Sequence, residues 1–382
     1  MSKVNVSFYE KEYDKALRLT LEAKKNYLTK ALEQEEMAHL EAIGLDGWSL
    51  KEREETYERE VLPYWNRFGV SPKRFWFELY GTRDHRMDPR FLPADVYFTE
   101  ILPYINNGME RTGLMNKAYL EYIFSDVKQP QTVVLRSEGN YLDEGRRIIG
   151  EDAAIGLCLE RGSQLFVKIT SGTSGGGGIT VLDPSDCSGE DVRRIFHDMG
   201  ASFIVQERVR QHPMLDSIMP TSVSTIRVLS LLMEDKVYIE SAALRISSPD
   251  TPFMKIYDGG VTTEILENGG LHPKAFSDIG KWYDKGKGYY DDSFRMPGID
   301  KIYEEVRRIH PRMGHFKCIG WDFAVGYGGE PVLLESNAFP ALGCTQITRC
   351  KPIFNERTDW ILEDYYQRRT WEKNHRRDIL IQ

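Results

Sequence analysis

The stretch from 318 to 340, CIGWDFAVGYGGEPVLLESNAFP, constrains this chain more than any other. An apolar run containing Asp322 meets a turn with Gly326, Gly328 and Gly329. A second run, Pro331 to Leu334, then leads into Glu335, Ser336 and Asn337. Two apolar runs around turn residues predict a β-hairpin. Side chains alternate across a strand, so Glu335 and Asn337 share a face, and pairing of the two strands lets Asp322 fall on it as well. Leu333 and Leu334 predict a buried strand, and a buried carboxylate needs a partner or a metal. Two carboxylates and an amide oxygen are hard ligands of the kind Mg²⁺ takes, alongside waters and phosphate oxygens. An ordinary hairpin with solvated polar side chains would read the same way, so the upstream sequence has to decide.

Upstream, a strand ending in Lys168 runs into Thr170, Ser171, Gly172, Thr173, Ser174, Gly175, Gly176, Gly177 and Gly178, then out into the β-branched run Ile179-Thr180-Val181. Glycine lets backbone amides approach a phosphate closely, and such a loop can close once the anion arrives. Lys168 beside it supplies a fixed positive charge, which favours a phosphate contact over a flexible hairpin tip. The loop lacks G-x-x-x-x-G-K-[ST] and is no Walker-type P-loop. Gly172 to Gly176 matches G-x-S-x-G, but that hydrolase elbow requires a helix after the serine, where this chain continues into glycines and a strand.

The 382 residues are enough for two or three domains or subdomains. Acidic residues exceed basic ones by 58 to 50, and the net charge of −8 argues against sequence-independent nucleic-acid binding. No run is apolar and long enough to span a bilayer, and the first residues lack a signal-peptide core; a cytoplasmic location is the expectation. Cys158, Cys187, Cys318, Cys344 and Cys350 show no C-x-x-C spacing and read as reduced, structural thiols.

Helical periodicity covers about 10–45 and 50–68, followed by the aromatic cluster Phe75 to Tyr80, which reads as core or interface. A helix holding Lys117 is predicted over 114–124, a strand over 133–136, a helix entrance at 143–149, an amphipathic helix over 191–199 and a strand over 203–209. Arg227 and Arg245 each lie in a strand-like run, where a buried guanidinium needs an anion; between a phosphate loop and a metal hairpin, a phosphate or carboxylate explains both. Residues 257–262 read as a Gly-containing turn, 281–295 as an exposed loop facing substrate, 298–310 as a helix, and 359–377 as a closing charged helix.

Strand lysine, Gly-rich loop, Q-E-x-V at Gln206 to Val209, two strand arginines, then W-D…E-x-N, in that order, resemble the ATP-grasp superfamily. The wording VQERVRQHP, STIRVLS and GWDFAVGYGGEPVLLESN is similar to its branch associated with sugar transfer and polysaccharide biosynthesis. The resemblance spans about 114–352. It implies an α+β fold in which two α+β subdomains, 114–207 and 208–382, grip ATP after a helical N-terminal region, 1–113. By resemblance, Lys117, Lys168 and the loop from Ser171, with Gly172, Thr173, Ser174, Gly175 and Gly176, contact phosphates. Gln206, Glu207, Arg208 and Val209 frame the adenine, and His212 approaches the ribose. Asp322, Glu335 and Asn337 hold Mg²⁺, while Arg227 and Arg245 stabilise the transferring phosphoryl group. Where the family often has Asp-Lys and Asn-Thr, this chain has Asn116-Lys117 and Ser224-Thr225.

The chemistry implied is ATP-dependent joining of a small-molecule carboxylate to an amine through an acyl phosphate, the acid or amino acid going onto an amino sugar, a peptide or a cell-envelope precursor. A small-molecule kinase that stops at phosphorylation is the alternative, and a non-catalytic nucleotide-binding regulator is a third. The substrates are not encoded in any motif, and the oligomeric state, a homodimer included, stays open.

Overall fold

The structure is a computed structural model that describes residues 6–106, 108–172, 177–249, 259–277 and 280–374. The chain divides into two compact units, Met1–Tyr104 with Cys350–Ile381, and Ile105–Arg349.

The first unit is helical. The long helix Val6–Ile43 matches the periodicity of its Leu and Ala residues, and Ser49 caps the next helix, Leu50–Thr56, by accepting the Glu52 amide. The aromatic cluster falls on the helix Arg74–Gly81 and builds core: Trp76, Phe77 and Tyr80 are fully buried, as is Trp65 of the helix Leu62–Asn66. The helix Arg357–Asn374, assigned from sequence to the second nucleotide-gripping subdomain, packs in this unit instead. Its Tyr366 stacks on Phe68 at 5.2 Å and its Arg369 pairs with Glu100 at 2.8 Å, Glu100 also holding Lys25. Polar letters on its outer face hid the aromatic face that anchors it.

The second unit carries two antiparallel sheets. The first is built from β1 (Thr132–Ser137), β2 (Asn140–Leu142), β3 (Ile148–Ile149), β4 (Leu165–Ile169), β5 (Ile179–Leu182) and β6 (Phe203–Glu207), in the order β3-β2-β1-β6-β4-β5. Leu165 and Val167 of β4 and Phe203 and Val205 of β6 point into a core closed by the helices Glu151–Leu159 and Gly189–Met199. Period two therefore sends Lys168 and Gln206 to the opposite face. The region 143–149, read as a helix entrance, is a turn closed by the Arg147 amide on the Asp143 carboxylate at 2.9 Å, then β3; the helix starts at Glu151.

The second sheet comprises β7 (Thr225–Met233), β8 (Lys236–Ile246), β9 (Val261–Glu264), β10 (Lys274–Ser277), β11 (Lys281–Asp284), β12 (Cys318–Val325) and β13 (Pro331–Asn337), in the order β11-β10-β9-β8-β7-β12-β13. The amphipathic helix Ile299–Ile309 covers one face through Ile299, Ile302, Val306 and Ile309. Its start is fitted to the hairpin: Gly298 has φ +69°, and a Cβ there would lie 2.6 Å from the Gly329 carbonyl oxygen. The stretch 281–295 is no exposed loop. It opens with β11, where Trp282 packs on Phe276 at 5.0 Å, and goes on to bury Tyr290 and Phe294. Its Gly, Lys and Asp residues form the turns between these anchors. Of the turn read at 257–262, Tyr257 and Asp258 lie outside the described residues, and Val261 begins β9.

Behind the hairpin a directed hydrogen-bond chain fixes the core. Trp321 Nε1 donates to Ser230 Oγ at 2.8 Å, Ser230 meets His310 Nδ1 at 2.7 Å, and His310 Nε2 meets the Phe316 carbonyl at 2.9 Å. Because a carbonyl only accepts, Nε2 carries a proton, and burial keeps the imidazole neutral, so Ser230 donates to Nδ1. Burial pushes the His310 pKa down to about 4, against the pull of the Phe316 carbonyl. The unfolded chain thus takes up a proton at His310 near pH 6.5 and the folded one only near pH 4. Stability is predicted to fall by roughly 3 kcal/mol as pH drops across that window. Denaturant midpoints at pH 7 and pH 4.5 check this, and His310→Gln should remove that part of the slope.

Candidate functional site

The short helix Lys117–Ile123 sits where the two sheets meet. Asn116 caps it, its side chain accepting the Ala118 amide at 2.9 Å, so this residue does the capping that an Asp would do. Ala118 packs with Leu135 and Ile204 of the first sheet, whereas Leu120 and Phe124 join the core of the second. The Lys117 amide donates to the Thr170 carbonyl at 2.9 Å, tying the helix start to the end of β4. Its ammonium lies 3.4 Å from Glu335 on β13.

From the first sheet, Lys168 Nζ donates to Gln206 Oε1 at 3.0 Å, across the diagonal of the β4–β6 pair. Burial, then the charge of Lys117, lowers the Lys168 pKa to about 8, with Glu335 opposing. The β6 end leads out through a hinge whose amides are mostly used: Glu207 donates to Gln131 and Arg208 to Gln164. The Val209 amide is the first at the hinge with no partner among the described residues.

From the second sheet, Asp322 stands directly across from Glu335 on β13 and from Arg227 on β7. A bulge follows at Phe323, where the pairing skips to Leu333. Arg227 grips the buried Asp322 carboxylate with both ends, Nε to Oδ1 at 2.5 Å and Nη2 to Oδ2 at 2.6 Å, and Arg245 Nη1 stands 3.6 Å from Oδ1. Burial pushes the Asp322 pKa up, but Arg227 and then Arg245 pull harder, and it lies below the usual carboxylate range. Asn337 shares the face with Glu335, and its Oδ1 accepts the Phe339 amide at 2.8 Å. The donor set is all oxygen, with a half-buried Glu335, a buried Asp322 and an amide oxygen with one lone pair in use. It fits a hard divalent cation completed by phosphate and water, and it does not fit zinc. Among the described residues no group of three His, Cys, Asp or Glu side chains forms a metal cage.

Seven expected residues thus share one space: Lys117, Lys168, Gln206, Arg227, Arg245, Asp322 and Glu335. Others do not reach it. Arg208 turns its guanidinium to the Pro220 carbonyl at 2.7 Å, Glu207 pairs with Arg161 at 3.1 Å, and His212 Nδ1 caps its own helix by accepting the Met214 amide at 3.2 Å. Ser171 and Gly172 are exposed just beyond β4, whereas Thr173, Ser174, Gly175 and Gly176 lie outside the described residues.

Sequence reasoning missed Gln211. Buried, it donates Nε2 to the Met219 and Ser222 carbonyls at 2.8 and 3.0 Å and accepts the Ser224 amide on Oε1 at 2.9 Å. This pins the loop that delivers β7 and Arg227. The only available signal was a polar residue one position before His212-Pro213.

A family model described as sugar-transfer associated ATP-grasp matches residues 100–359. Solved structures that resemble the chain include VanG D-Ala:D-Ser ligase from Enterococcus faecalis, at 16% identity and TM-score 0.41 over 66% of this chain and 61% of that one. The D-alanine-D-alanine ligase from Coxiella burnetii follows at 13% and 0.38 over 69% and 60%, and D-cycloserine synthetase DcsG at 14% and 0.38 over 66% and 70%. The chain spans about three-fifths of the length of the first two. No curated protein matches it significantly.

The geometry makes Asp322 the keystone of the charge arrangement. Asp322→Asn leaves two arginines facing each other in a buried site, and a loss of about 3 kcal/mol is expected. Chemical denaturation with and without sulfate reads it, the anion restoring more stability to the variant than to the parent protein.

Proposed function

Since the chain belongs to the sugar-transfer-associated ATP-grasp family and has its α+β fold, with two sheets and a helical N-terminal region, we propose that it is an ATP-dependent carboxylate–amine ligase. The observation that carries this reading is the meeting of Lys117, Lys168 and Gln206 from one side with Arg227, Arg245, Asp322 and Glu335 from the other. Cations on both walls suit a polyphosphate between them, and carboxylates on the far wall suit the metal that travels with it.

In this reading the lysines and the Ser171 loop bind the phosphates of ATP. The Val209 amide, with Gln206 and the carbonyl of Glu207, faces the adenine. Asp322, Glu335 and Asn337 hold Mg²⁺, which when bound supplies charge neutralisation at the phosphate oxygens. A substrate carboxylate oxygen attacks the γ-phosphorus, and the bond to ADP breaks with its electron pair going to ADP. An amine then attacks the acyl carbon, the bond from that carbon to the phosphate oxygen breaks with its electron pair going to phosphate, and the departing phosphate takes up the proton that the nitrogen loses, leaving an amide. The protein needs no nucleophile of its own. It orients the reactants and places Arg227 and Arg245 against the charge on the transferring group. Arg227 reaches that position by exchanging its grip on Asp322 for the phosphoryl oxygens.

ADP release with product mass, on a panel of acids, amino acids and amino sugars, tests this reading. It should require both an acid and an amine, give a product lighter than their sum by one water, and drop at least ~100-fold in Glu335→Gln. A phosphorylated product without amide would make the protein a kinase.

Lys168 gives a second prediction. With a pKa near 8, the free site holds a largely neutral lysine at pH 9. Polyphosphate favours the charged form, so ATP binding should take up close to one proton at that pH and far less at pH 7. Calorimetry in buffers of different ionisation enthalpy measures the uptake, which Lys168→Gln should abolish.

A further inference from the structure

Among the described residues Lys168 donates to one acceptor, the Gln206 side-chain oxygen at 3.0 Å. A primary amide has a donor end and an acceptor end of nearly equal shape, and a half-turn about its last bond exchanges them. Gln206 turned round would set an NH₂ group against the ammonium and leave a partly buried cation with no acceptor. A chain of hydrogen bonds holds the amide from behind. Gln206 and Thr132 are cross-strand partners on β6 and β1, both buried, and Gln206 Nε2 lies 3.5 Å from Thr132 Oγ1. The Thr132 hydroxyl donates in turn to Glu121 Oε1, and Arg146 donates to Glu121 Oε2. A carboxylate only accepts, so the single hydroxyl proton of Thr132 is committed to Glu121 and its oxygen is left to accept. From both ends of the chain, nitrogen therefore faces Thr132 and oxygen faces Lys168.

The outer links come from elements already tied to the site. Glu121 stands one turn after Lys117 on the same face of the helix Lys117–Ile123. The element that brings one lysine to the site thus carries the carboxylate that orients the partner of the other. Arg146 is delivered at φ +62°, a left-handed backbone that a residue with a long side chain rarely takes. Glycine or asparagine would sit there at less cost. What arginine adds is its reach to Glu121, its guanidinium lying over the Tyr122 ring at 5.3 Å. The structure assigns Thr132 and Glu121 as positioning residues of the nucleotide site: they fix the Gln206 amide so that its oxygen holds Lys168 in place for the phosphates. This rests on the ATP-binding part of the proposed function. Neither residue acts on the nucleotide itself; each acts through Gln206.

NMR on the full chain, isotope-labelled at the glutamine side-chain nitrogens, reads the amide before any nucleotide is added. The Gln206 signal is the one missing from Gln206→Glu. Its amide protons should show an Overhauser effect to the Thr132 methyl group, and their exchange with water should rise at least tenfold in Thr132→Val. Calorimetry then measures MgATP binding. Thr132→Val, which keeps the shape and loses the hydroxyl, should weaken it at least fivefold, whereas Thr132→Ser should stay within twofold of the parent protein. In a Lys168→Gln background the same Thr132→Val change should cost less than twofold, because no ammonium is left for the amide to face. If Thr132 only supported the fold, the loss would be equal in both backgrounds, and the assignment would fall. Amide protons lying against Lys168 in the parent protein, or an unchanged MgATP affinity in Thr132→Val, would overturn it too. An oriented amide in a protein that binds no MgATP would keep the hydrogen-bond chain and remove the nucleotide reading, so the two failures are told apart.

Discussion

The helix Lys117–Ile123 is packed on both sheets of the second unit at once, through Ala118 on one and through Leu120 and Phe124 on the other. Everything at the site depends on that double contact. It sets Lys117 between Lys168 and Glu335, and its bond to the Thr170 carbonyl fixes where β4 hands over to the glycine-rich stretch. Phe124 stands edge-on to Trp321 at 5.6 Å, so the same helix presses on the strand that holds Asp322. A seven-residue helix has little stability of its own, and its position follows from apolar burial on two sides.

Electrostatics explain why the site is built from pairs. Four cations, Lys117, Lys168, Arg227 and Arg245, face two carboxylates, Asp322 and Glu335. The surplus positive charge is tolerable because each carboxylate is shared, and the pKa of Lys168 is lowered first by its burial and then by the charge of Lys117. Such a cluster contributes little to stability for its own sake, since desolvation offsets most of the attraction. Its value lies in offering a multiply charged anion more than it offers water. The neutral His310 chain on the other side of β12 does the opposite work, holding Trp321 and Ser230 with no net charge to compete.

Much of this site was legible because period-two alternation is a strong rule. Glu335 and Asn337 could be set on one face from spacing, with Asp322 joining them only if the strands paired, and β12 and β13 pair in the register that places it there. Lys168 was legible from the glycines after it. The side chains of Arg208 and His212 were not, because hydrogen bonds to Pro220 and Met214 decide their direction and no pattern encodes those. Gln211 escaped for the same reason, a single amide whose three backbone partners lie 8 to 13 positions away. The stretch 281–295 misled through composition: turn-forming Gly, Asp and Lys outnumber the aromatic anchors Trp282, Tyr290 and Phe294 that decide its burial.

The two-sheet unit is inserted within the other one in sequence: Ile105–Arg349 interrupts a helical body whose closing helix, Arg357–Asn374, is made only afterwards. During synthesis the sheets can therefore assemble while Phe68 and Glu100 still await Tyr366 and Arg369. The part of the chain made first is the last to be finished. Until then Phe68 lacks the cover of Tyr366, and any change that slows the central unit lengthens that interval.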